Sequence, residues 1–443
     1  MKQTYNIITY GCQMNKSDSE RIASVLESSG FKKSSLNKAD YAFLNLCSVR
    51  QSAIDRIWGK INQIKKDNKK IKIVLTGCIL PDEKKKLQKK ADYLLDIKNL
   101  MQWPILKNKK DKEYFCAKPK LDSQFEAYVP IMTGCNNFCS YCAVPYTRGR
   151  EKSRPAKDIL NEVNKLVVQG YKFITLLGQN VNSYCQPAFA TNNSNLTTAG
   201  RRQFKNKNNF PKLLKQINKI PGDYWLSFVT SHPKDMSDEL IKSFKNSKHL
   251  IPYLHLPIQS GSNKILKVMN RKYTSQDYLK LIDKVKKINP DINLSTDIIV
   301  GFPGETKKDF KNTVKMMKKV KYDMAYIAQY SPRPNTKAET LEDNISKEEK
   351  KQREKILTDI LKITALEKNK KMVDKTIEVL IENKKDKYYL GKTRNFKNVK
   401  IKVNNNKNLI GKFVDIEITK ANTWNLEGKI TKANKYENKT RKA

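Results

Sequence analysis

The sequence predicts an α/β protein in three parts: two parallel sheets covered by helices, followed by a small all-β barrel. Up to about residue 345, short apolar runs without polar alternation recur between longer amphipathic runs. This is the spacing of strand–helix units whose sheet is covered on both faces. Beyond residue 376 the apolar residues instead recur at every second position, as in strands that bury one face. The 443 residues are enough for about three domains.

The first part, residues 1–115, contains four apolar runs at the spacing of strand–helix units. The predicted strands are 5–10, 41–46, 71–76 and 91–96. The predicted helices between them are 17–29, 53–66 and 81–90. Ser17 is a candidate N-cap, and Pro81 suits a first helical turn. Because these strands lack polar alternation, we expect a small flavodoxin-like domain built on a parallel sheet.

A polar, lysine-rich linker leads to the second part, residues 121–350. Its predicted strands are 128–132, 173–177, 225–230, 253–258, 294–300 and 324–330. Amphipathic runs between them, for example 156–169, 275–287 and 306–319, predict helices. Six such repeats predict a parallel sheet curled into a (β/α)6 partial barrel. The stretch 186–209, rich in Asn, Thr and Lys, is expected to be an inserted surface loop.

The third part, residues 372–434, follows a charged helix predicted at 346–371. Its alternating apolar residues are Ile377, Val379, Ile381, Val399, Ile401, Val403, Val414, Ile416, Ile418, Trp424 and Leu426. Gly391, Gly411 and Gly428 lie at or near the predicted turns. Short strands of this kind predict a small all-β barrel. The basic stretch after residue 433 is expected to be a disordered tail.

The chain is strongly basic. Lysine and arginine number 88 against 44 acidic residues, which gives a formal net charge of +44. Lysine and asparagine crowd every segment, so part of this excess is a bias of composition, yet the charge still favours a nucleic-acid partner. No run approaches the roughly 20 apolar residues of a membrane span. The first strand begins near Tyr5, which leaves no room for a targeting peptide, so we expect a cytoplasmic protein.

Three cysteines, Cys135, Cys139 and Cys142, stand in the run TGCNNFCSYCAVP after the first strand of the second part. We call them the first trio. Their spacing is not that of a zinc site, and no fourth Cys or His follows closely. Three thiolates on one loop suit a [4Fe–4S] cluster with one open iron, which can bind S-adenosylmethionine and cleave it to a 5′-deoxyadenosyl radical. This site is expected at the C-terminal mouth of the barrel.

Three other cysteines, Cys12, Cys47 and Cys78, each follow a predicted strand of the first part. We call them the second trio. Although they are far apart in the chain, we expect them to meet at the carboxyl edge of one parallel sheet, where ligands of open α/β sheets bind. They therefore predict a second three-thiolate cluster. Cys116 and Cys185 have no partners at ligand spacing and are expected to be ordinary thiols.

Several motifs resemble those of the radical S-adenosylmethionine methylthiotransferases. They extend over nearly all of residues 1–335 and are TYGCQMNKSDSE, NLCSVR, TGC, CNNFCSYCAVPYTRGREKSRP, LLGQNVNSY, TSHP, HLPIQSGSNKILKVMNRKYT, DIIVGFPGE and YSPRP. The resemblance implies an auxiliary [4Fe–4S] cluster on the second trio, a radical S-adenosylmethionine domain with its own [4Fe–4S] cluster on the first trio, and a C-terminal RNA-binding TRAM domain. The stretch after Cys185 is longer than the family pattern and departs from it.

Within this family, the start YGCQMN favours 2-methylthiolation of N(6)-dimethylallyladenosine next to the anticodon of a tRNA. Such a ring hydrogen is not acidic, so the reaction needs radical chemistry from a cofactor. Two alternatives are a threonylcarbamoyladenosine in tRNA and a ribosomal-protein aspartate. A third, from another class, is a non-catalytic iron–sulfur RNA-binding protein, and a methyltransferase that uses the radical domain alone is disfavoured by the second trio. We expect an unpaired target base, a flavodoxin or ferredoxin as electron donor, and a monomer.

The resemblance also implies contacts to S-adenosylmethionine at the ends of the barrel strands. Tyr141 is expected to lie against the adenine. The other candidates are Gly178, Gln179, Asn180, Ser260, Gly261, Gly301 and Gly304. Each of these is also consistent with an ordinary turn between a strand and a helix.

Candidate RNA contacts lie beyond the first trio and on the predicted β-barrel. They are Arg148, Arg150, Arg154, Lys392, Arg394, Lys397 and Trp424. The basic side chains would bind phosphates, and Trp424 would stack on a base. The alternative for Trp424 is a place in the core of the small barrel.

Overall fold

The N-terminal part folds around one parallel sheet. The computed structural model describes residues 3–47, 51–107, 113–186, 208–245, 247–402 and 408–431, with the backbone alone at 51–55. The first strands are β1 (Thr4–Thr9), β2 (Lys32–Lys33), β3 (Tyr41–Cys47), β4 (Lys72–Cys78) and β5 (Tyr93–Leu94). The helices are α1 (Gln13–Ser28), α2 (Gln51–Asp67) and α3 (Pro81–Gln88). The strand order β2-β1-β3-β4-β5 is that of a flavodoxin-like fold, so this prediction is confirmed.

Helix α1 begins at Gln13 and not at the predicted Ser17. Cys12 is its N-cap, and the amide of Cys12 donates to the Asn15 side-chain oxygen at 3.3 Å. Ser17 is instead fully buried inside the helix. The predicted cap was wrong because Asn15 supplies the capping oxygen, and a Ser was the more conspicuous cap residue in the sequence.

The second part contains the largest core of the protein. In chain order its strands are β6 (Glu126–Pro130), β7 (Met132–Thr133), β8 (Lys152–Ser153), β9 (Phe173–Leu177), β10 (Cys185–Gln186), β11 (Asn208–Asn209), β12 (Trp225–Phe228), β13 (Tyr253–His255), β14 (Asn293–Val300) and β15 (Met324–Gln329). Its helices are α4 (Val144–Arg148), α5 (Ala156–Val168), α6 (Phe210–Ile217), α7 (Asp238–Lys242), α8 (Asn263–Val268), α9 (Ser275–Ile288) and α10 (Lys307–Val320).

The core strands form a curled parallel sheet. Two three-stranded sheets, β6-β9-β12 and β13-β14-β15, are joined by a parallel bridge from Leu226 to Leu250. All six strands run in chain order, which confirms the predicted partial barrel. The short pair β10 and β11 flanks the predicted insertion, whose residues 187–207 lie outside the described residues.

The C-terminal part is a closed antiparallel and parallel barrel, as predicted. Its strands are β16 (Thr376–Lys385), β17 (Tyr388–Thr393), β18 (Asn398–Lys402), β19 (Phe413–Ala421) and β20 (Leu426–Ile430), in the order β16-β17-β18-β20-β19. At Gly391 a Cβ would lie 2.4 Å from the Leu380 carbonyl oxygen, so the close approach of β17 to β16 requires a glycine. The predicted tail after residue 433 lies outside the described residues.

The small barrel packs against the N-terminal ends of the core strands. Phe173, Trp225 and Tyr253 are the first residues of β9, β12 and β13, and they cluster with Phe396 and Phe413 of the barrel. The Tyr253 and Phe396 rings stack at 4.5 Å between centroids, and those of Trp225 and Phe413 lie 4.7 Å apart. The first trio follows the C-terminal end of β6, so the barrel and the trio lie at opposite ends of the core.

Helix α11 (Lys347–Lys370) joins the core to the small barrel and packs on β15 and α10. Its Arg353 forms a buried ion pair with Glu305, with 2.5 Å between Nη1 and Oε2. Glu305 also accepts a hydrogen bond from the Gly301 amide at 2.7 Å. These contacts fix α11 to the turn that follows β14. In the described ranges, every helix is too short or too polar to cross a bilayer.

Candidate metal and cofactor centre

The first trio lies on the loop between β7 and α4. Cys135 and Cys139 are buried, and Cys142 is half-buried. The amide of Cys142 donates to the carbonyl of Cys139 at 3.0 Å, which closes a tight turn. Just before the trio, Gly134 has a φ of +77°, and a Cβ there would lie 2.1 Å from the Arg150 carbonyl oxygen. The backbone therefore holds the three thiols together at the mouth of the core, and a larger residue at position 134 would displace the loop.

Two side chains donate hydrogen bonds to sulfur atoms of the first trio. Arg271 Nη1 lies 3.4 Å from Cys139 Sγ, and Asn137 Nδ2 lies 3.6 Å from Cys135 Sγ. Arg271 is buried, and its Nη2 donates to the Pro257 carbonyl at 2.8 Å. Its charge offsets part of the negative charge that thiolates carry. Arg271 had no predicted role, because 132 residues separate it from Cys139.

Burial also governs the protonation of these thiols. It raises the pKa of Cys142 to about 12 and holds the pKa of Cys135 above its ordinary value, and Cys139 nearby adds to both shifts. Cysteine binds metals as the thiolate, so a metal must displace these protons. Without a metal the thiols of Cys135 and Cys142 are therefore poor nucleophiles at neutral pH.

The second trio meets at the carboxyl edge of the N-terminal sheet. Cys47 and Cys78 end β3 and β4 and are paired in register. Cys12 caps α1 beside them, and a Cβ at Gly11 would lie 2.7 Å from the Cys47 Cβ. The three strand ends thus bring together residues that are widely separated in the chain. Their role as cluster ligands stays a prediction.

The donor type of both trios suits iron–sulfur clusters. Among the described residues, no three Cys, His, Asp or Glu side chains lie close enough to bind one metal ion. All donors in both sets are cysteines, which is the ligand type that such clusters prefer. The residues present therefore fit the two predicted [4Fe–4S] clusters.

Arg148 links the two trios. It ends α4, the helix that follows Cys142, and its Nε donates to Cys78 Sγ at 2.9 Å. Its Nη2 forms an ion pair with Asp18 Oδ2 at 2.6 Å, and both side chains are buried. The expectation that Arg148 binds RNA phosphates was wrong, because its guanidinium is occupied inside the protein. The partner Asp18 was missed, since no local pattern places it opposite an arginine 130 residues away.

The predicted RNA contact was also wrong for Arg154, but the structure does not contradict it for Arg150. Arg154 is buried and pairs with Glu162 at 2.6 Å, while the neighbouring Arg21 of α1 lies 3.5 Å from the same carboxylate. Arg154 is therefore held inside the core instead of contacting RNA, and it is Arg21 that brings the N-terminal part to the same carboxylate. Arg150 is exposed and lies over the Phe138 ring at 4.3 Å. Its RNA contact stays a prediction.

Two of the four predicted RNA contacts on the barrel face the core. Lys397 is largely buried and pairs with Asp323 at 2.9 Å. Arg394 Nη2 donates to the carbonyls of Ser247 and Lys248, so neither Lys397 nor Arg394 faces solvent RNA as expected. Both residues lie in the turn between β17 and β18, which packs against the core. The apolar periodicity of the sequence does not reveal this contact.

The other two barrel residues have more open surroundings. Lys392 pairs with Glu382 at 2.6 Å and is half-buried. Trp424 is 43% exposed, so it does not fill the barrel core. Both RNA contacts stay predictions.

Four of the predicted cofactor residues lie beside the first trio. Gln179 Oε1 accepts from the Gly134 amide at 2.6 Å, directly before the trio. Asn180 is buried and donates to Asp235 at 2.7 Å, and its Oδ1 has no partner in the described structure. At Gly178 a Cβ would collide with the Met132 side chain, 2.6 Å away. An unpartnered buried oxygen next to the loop suits a bound amine, as predicted for S-adenosylmethionine.

Tyr141 lies within the first trio. Its half-buried ring meets the Phe302 ring edge-on at 6.5 Å between centroids. The ring also packs against an apolar cluster that contains Ile265 and Met269. The predicted contact with adenine stays a prediction.

Three further cofactor candidates, Ser260, Gly261 and Gly301, pack against the outer helices α10 and α11. The Gly261 amide donates to Thr313 Oγ1 of α10 at 3.0 Å, and Ser260 is fully buried against the same side chain. At Gly301 a Cβ would lie 2.3 Å from Lys350 of α11. These packing contacts give Ser260, Gly261 and Gly301 a structural role in the turns, and their predicted contacts with the ribose or adenine stay predictions.

Gly304 differs from these three residues. Its φ is +78°, and no described atom lies within 4 Å of an added Cβ. A positive φ of this kind favours glycine in the turn that leads to α10. Its contact with the cofactor stays a prediction.

A cavity of about 470 Å³ opens at the seam between the N-terminal part and the core. Lys98, Arg150 and Lys152 line it together with the aromatic rings of Tyr114 and Phe115. All three cationic side chains are exposed. Arg148 also lines the cavity, and Glu113 pairs with Lys152 there at 2.5 Å, so the recess is partly aromatic and has a net positive lining.

Comparison with known families divides the chain in three. Residues 4–96 match the uncharacterized protein family UPF0004, residues 129–317 match the Radical SAM superfamily, and residues 370–431 match the TRAM domain. In fold, the chain is similar to the apo form of the cobalamin-dependent S-adenosylmethionine radical enzyme OxsB. The TM-score is 0.51 at 12% identity, over 81% of this chain and 55% of that one.

Curated relatives are similar over nearly the full length. The tRNA-2-methylthio-N(6)-dimethylallyladenosine synthase of Acetivibrio thermocellus is 39% identical, over 97% of this chain and 92% of the relative. Those of Carboxydothermus hydrogenoformans and Thermoanaerobacter sp. are 39% and 40% identical, over 96% of this chain and 99% and 92% of theirs. The resemblance inferred from the motifs is confirmed. The chain belongs to the family of tRNA-2-methylthio-N(6)-dimethylallyladenosine synthases, which are radical S-adenosylmethionine enzymes.

Proposed function

We propose that this chain transfers a methylthio group to carbon-2 of N(6)-dimethylallyladenosine next to the anticodon of a tRNA. The observation that carries this proposal is the contact that Arg148 makes between the segment after the first trio and the second trio. Arg148, on the helix that follows the first trio, donates a hydrogen bond to Cys78 of the second trio. A reaction that needs both a radical source and a sulfur source requires two such centres close together. Full-length similarity to synthases of this name supports the choice of substrate.

The first trio would hold one [4Fe–4S] cluster and the second trio the other. When bound, the clusters and S-adenosylmethionine supply the one-electron and sulfur chemistry that the side chains cannot provide. The histidines do not substitute for it. Burial, with Arg271 and Lys234 nearby, lowers the pKa of His232 to about 2, so this imidazole is neutral and a very weak base. Burial likewise lowers the pKa of His249, which stacks on Tyr224.

The chain's own residues position the reactants and exclude water. In this proposal the buried Cys135 and Cys139 would line the site for S-adenosylmethionine, together with the ring of Tyr141 and the unpartnered oxygen of Asn180. The basic cavity at the seam suits the phosphates that flank an unpaired adenosine. The domain limits 1–115, 121–350 and 372–434, a flavodoxin or ferredoxin donor, a monomeric state and a cytoplasmic location belong to this proposal as further predictions.

Nucleoside mass spectrometry tests the substrate. In a bacterial strain that lacks its own methylthiotransferase gene, expression of this chain is expected to restore the methylthio mass on dimethylallyladenosine. A chain with Cys142→Ala is the matched control and is expected to leave the prenylated nucleoside unmodified. A methylthio group found on threonylcarbamoyladenosine or on a ribosomal-protein aspartate would instead support the corresponding alternative.

RNA binding at the seam gives a separate prediction. Arg150→Ala and Lys98→Ala are each expected to weaken tRNA binding several-fold and to reduce the salt dependence of log K by about one unit. The control is Lys280→Ala, an exposed lysine on the outer face of α9. Fluorescence anisotropy across a salt series, with tRNA that lacks the methylthio group, measures both the affinity and its salt dependence. Equal effects at all three positions would mean that the chain binds tRNA only through its overall charge.

A further inference from the structure

Each trio has one buried arginine at one of its sulfurs, but the two contacts differ. Arg271 Nη1 donates to Cys139 Sγ at 3.4 Å. Its Nε donates to the Tyr273 hydroxyl, and its Nη2 donates to the Pro257 carbonyl. Arg148 approaches Cys78 at 2.9 Å, and it comes from the other domain. The shorter contact is therefore also the one that crosses the interface between the two centres.

Asp18 fixes the orientation of the Arg148 guanidinium. Asp18 accepts from Nη2 at 2.6 Å and from Nη1 at 3.4 Å, and its Oδ1 also accepts from the Tyr114 hydroxyl at 2.5 Å. Asp18 is fully buried on α1, the helix that Cys12 caps. A continuous chain of hydrogen bonds therefore runs from Tyr114 through Asp18 and Arg148 to Cys78.

The guanidinium in this position is charged. Arginine stays protonated in proteins, and Asp18 Oδ2 pairs with this guanidinium at 2.6 Å. Hydrogen bonds to cluster sulfurs and nearby positive charge both stabilise the reduced, more negative form of an iron–sulfur cluster. A donor on Cys78 would therefore make a cluster on the second trio easier to reduce.

We propose that Arg148 is a positioning residue whose hydrogen bond to the Cys78 sulfur sets the reduction potential of the second-trio cluster and fixes that cluster against the first trio. This inference rests on the proposed function in one respect, namely that Cys78 is a cluster ligand. Arg148 would then control the reduction potential of a cluster, although the basic motif PYTRGRE in which it lies suggests RNA binding.

The test uses the full-length chain with all three first-trio cysteines changed to alanine, so that only the second trio can bind a cluster. After anaerobic reconstitution, iron per chain and the midpoint potential from an EPR-monitored redox titration are measured with Arg148 and with Arg148→Gln. We expect unchanged iron content and a more negative midpoint potential in the glutamine variant. Arg148→Lys, which keeps the charge but not the planar donor, is expected to give an intermediate shift.

Two further variants complete the experiment. Lys280→Gln, an exposed lysine on α9, is the control for the loss of one positive charge and is expected to leave the potential unchanged. Asp18→Asn leaves Arg148 in place but removes the carboxylate that pairs with it, and the loss of this negative charge is expected to make the potential more positive, opposite to Arg148→Gln. If Arg148→Gln does not fold or bind iron, the Lys and Asn variants decide the question.

The outcomes separate this inference from the proposed function. A loaded cluster with the same potential in all Arg148 and Asp18 variants would overturn the tuning role while leaving the second trio as a cluster site. Failure of the triple-alanine chain itself to bind any cluster would overturn the ligand assignment, and the tuning role with it. Resonance Raman spectra give an independent readout, because loss of a hydrogen bond to Cys78 changes an iron–thiolate stretching frequency.

Discussion

Alanine substitution within the first trio is expected to abolish formation of 5′-deoxyadenosine, whereas substitution within the second trio is expected to preserve it and to stop methylthio transfer. The reason is the separation of the two sets. The first trio lies on a loop of the core, and the second lies at the edge of the N-terminal sheet. Each set keeps its own backbone support when the other is changed. Chromatography of 5′-deoxyadenosine and nucleoside mass spectrometry of the tRNA measure the two activities in the same reaction.

Cys185→Ala is the matched control for these substitutions. Cys185 is exposed at β10, and it is expected to be dispensable for both activities. Iron analysis should show that each trio variant loses part of its iron and keeps the rest. If variants of the second trio lost both activities equally, the proposed division of labour between the trios would be wrong.

Arg353→Met is expected to lower the free energy of unfolding by about 3–5 kcal/mol, the usual cost of removing one partner from a buried ion pair. The Glu305 side chain is 1% exposed and that of Arg353 is 5% exposed. Burial already holds the pKa of Glu305 above its ordinary value despite the arginine, so without Arg353 the carboxylate would be uncompensated. Urea unfolding followed by circular dichroism measures the change.

A second substitution isolates the cause. In Arg353→Met combined with Glu305→Gln, the buried charge is gone, and a large part of the lost stability is expected to return. Lys362→Met, which breaks an exposed pair with Asp359 on the same helix, is expected to leave stability unchanged. If the double variant were as unstable as the single one, the loss would come from packing of the arginine stem and not from the unpaired carboxylate.

The architecture could be predicted from the sequence because apolar periodicity reports which faces of strands and helices are buried. Strand β9 was predicted at its observed limits, Phe173–Leu177, and Pro81 was placed correctly in the first turn of α3. The second trio was predicted by the same logic, since each cysteine follows or ends a strand of a parallel sheet. The start of α1 was missed, because its cap depends on an Asn side chain that folds back on Cys12.

Charged residues near the site could not be placed in this way. Arg148, Arg154 and Lys397 looked like surface cations, yet each has an acidic partner that only the tertiary fold brings near. Nothing in the local sequence distinguishes them from Arg150, which is exposed. In a chain with a net charge of +44, the cations that have a buried acidic partner are structural, and identifying them requires the fold.

The position of the small barrel sets a minimum size for a well-bound substrate. Strand β14 has eight residues and separates the two ends of the core by on the order of 20 Å. An RNA held at one end by the barrel and at the other by the catalytic loop must run along the flank of the core for that distance. A short hairpin would engage the catalytic end alone. Shortening the RNA should therefore raise KM steeply and leave kcat nearly constant. The protein would then select its substrate by length as well as by the identity of the base.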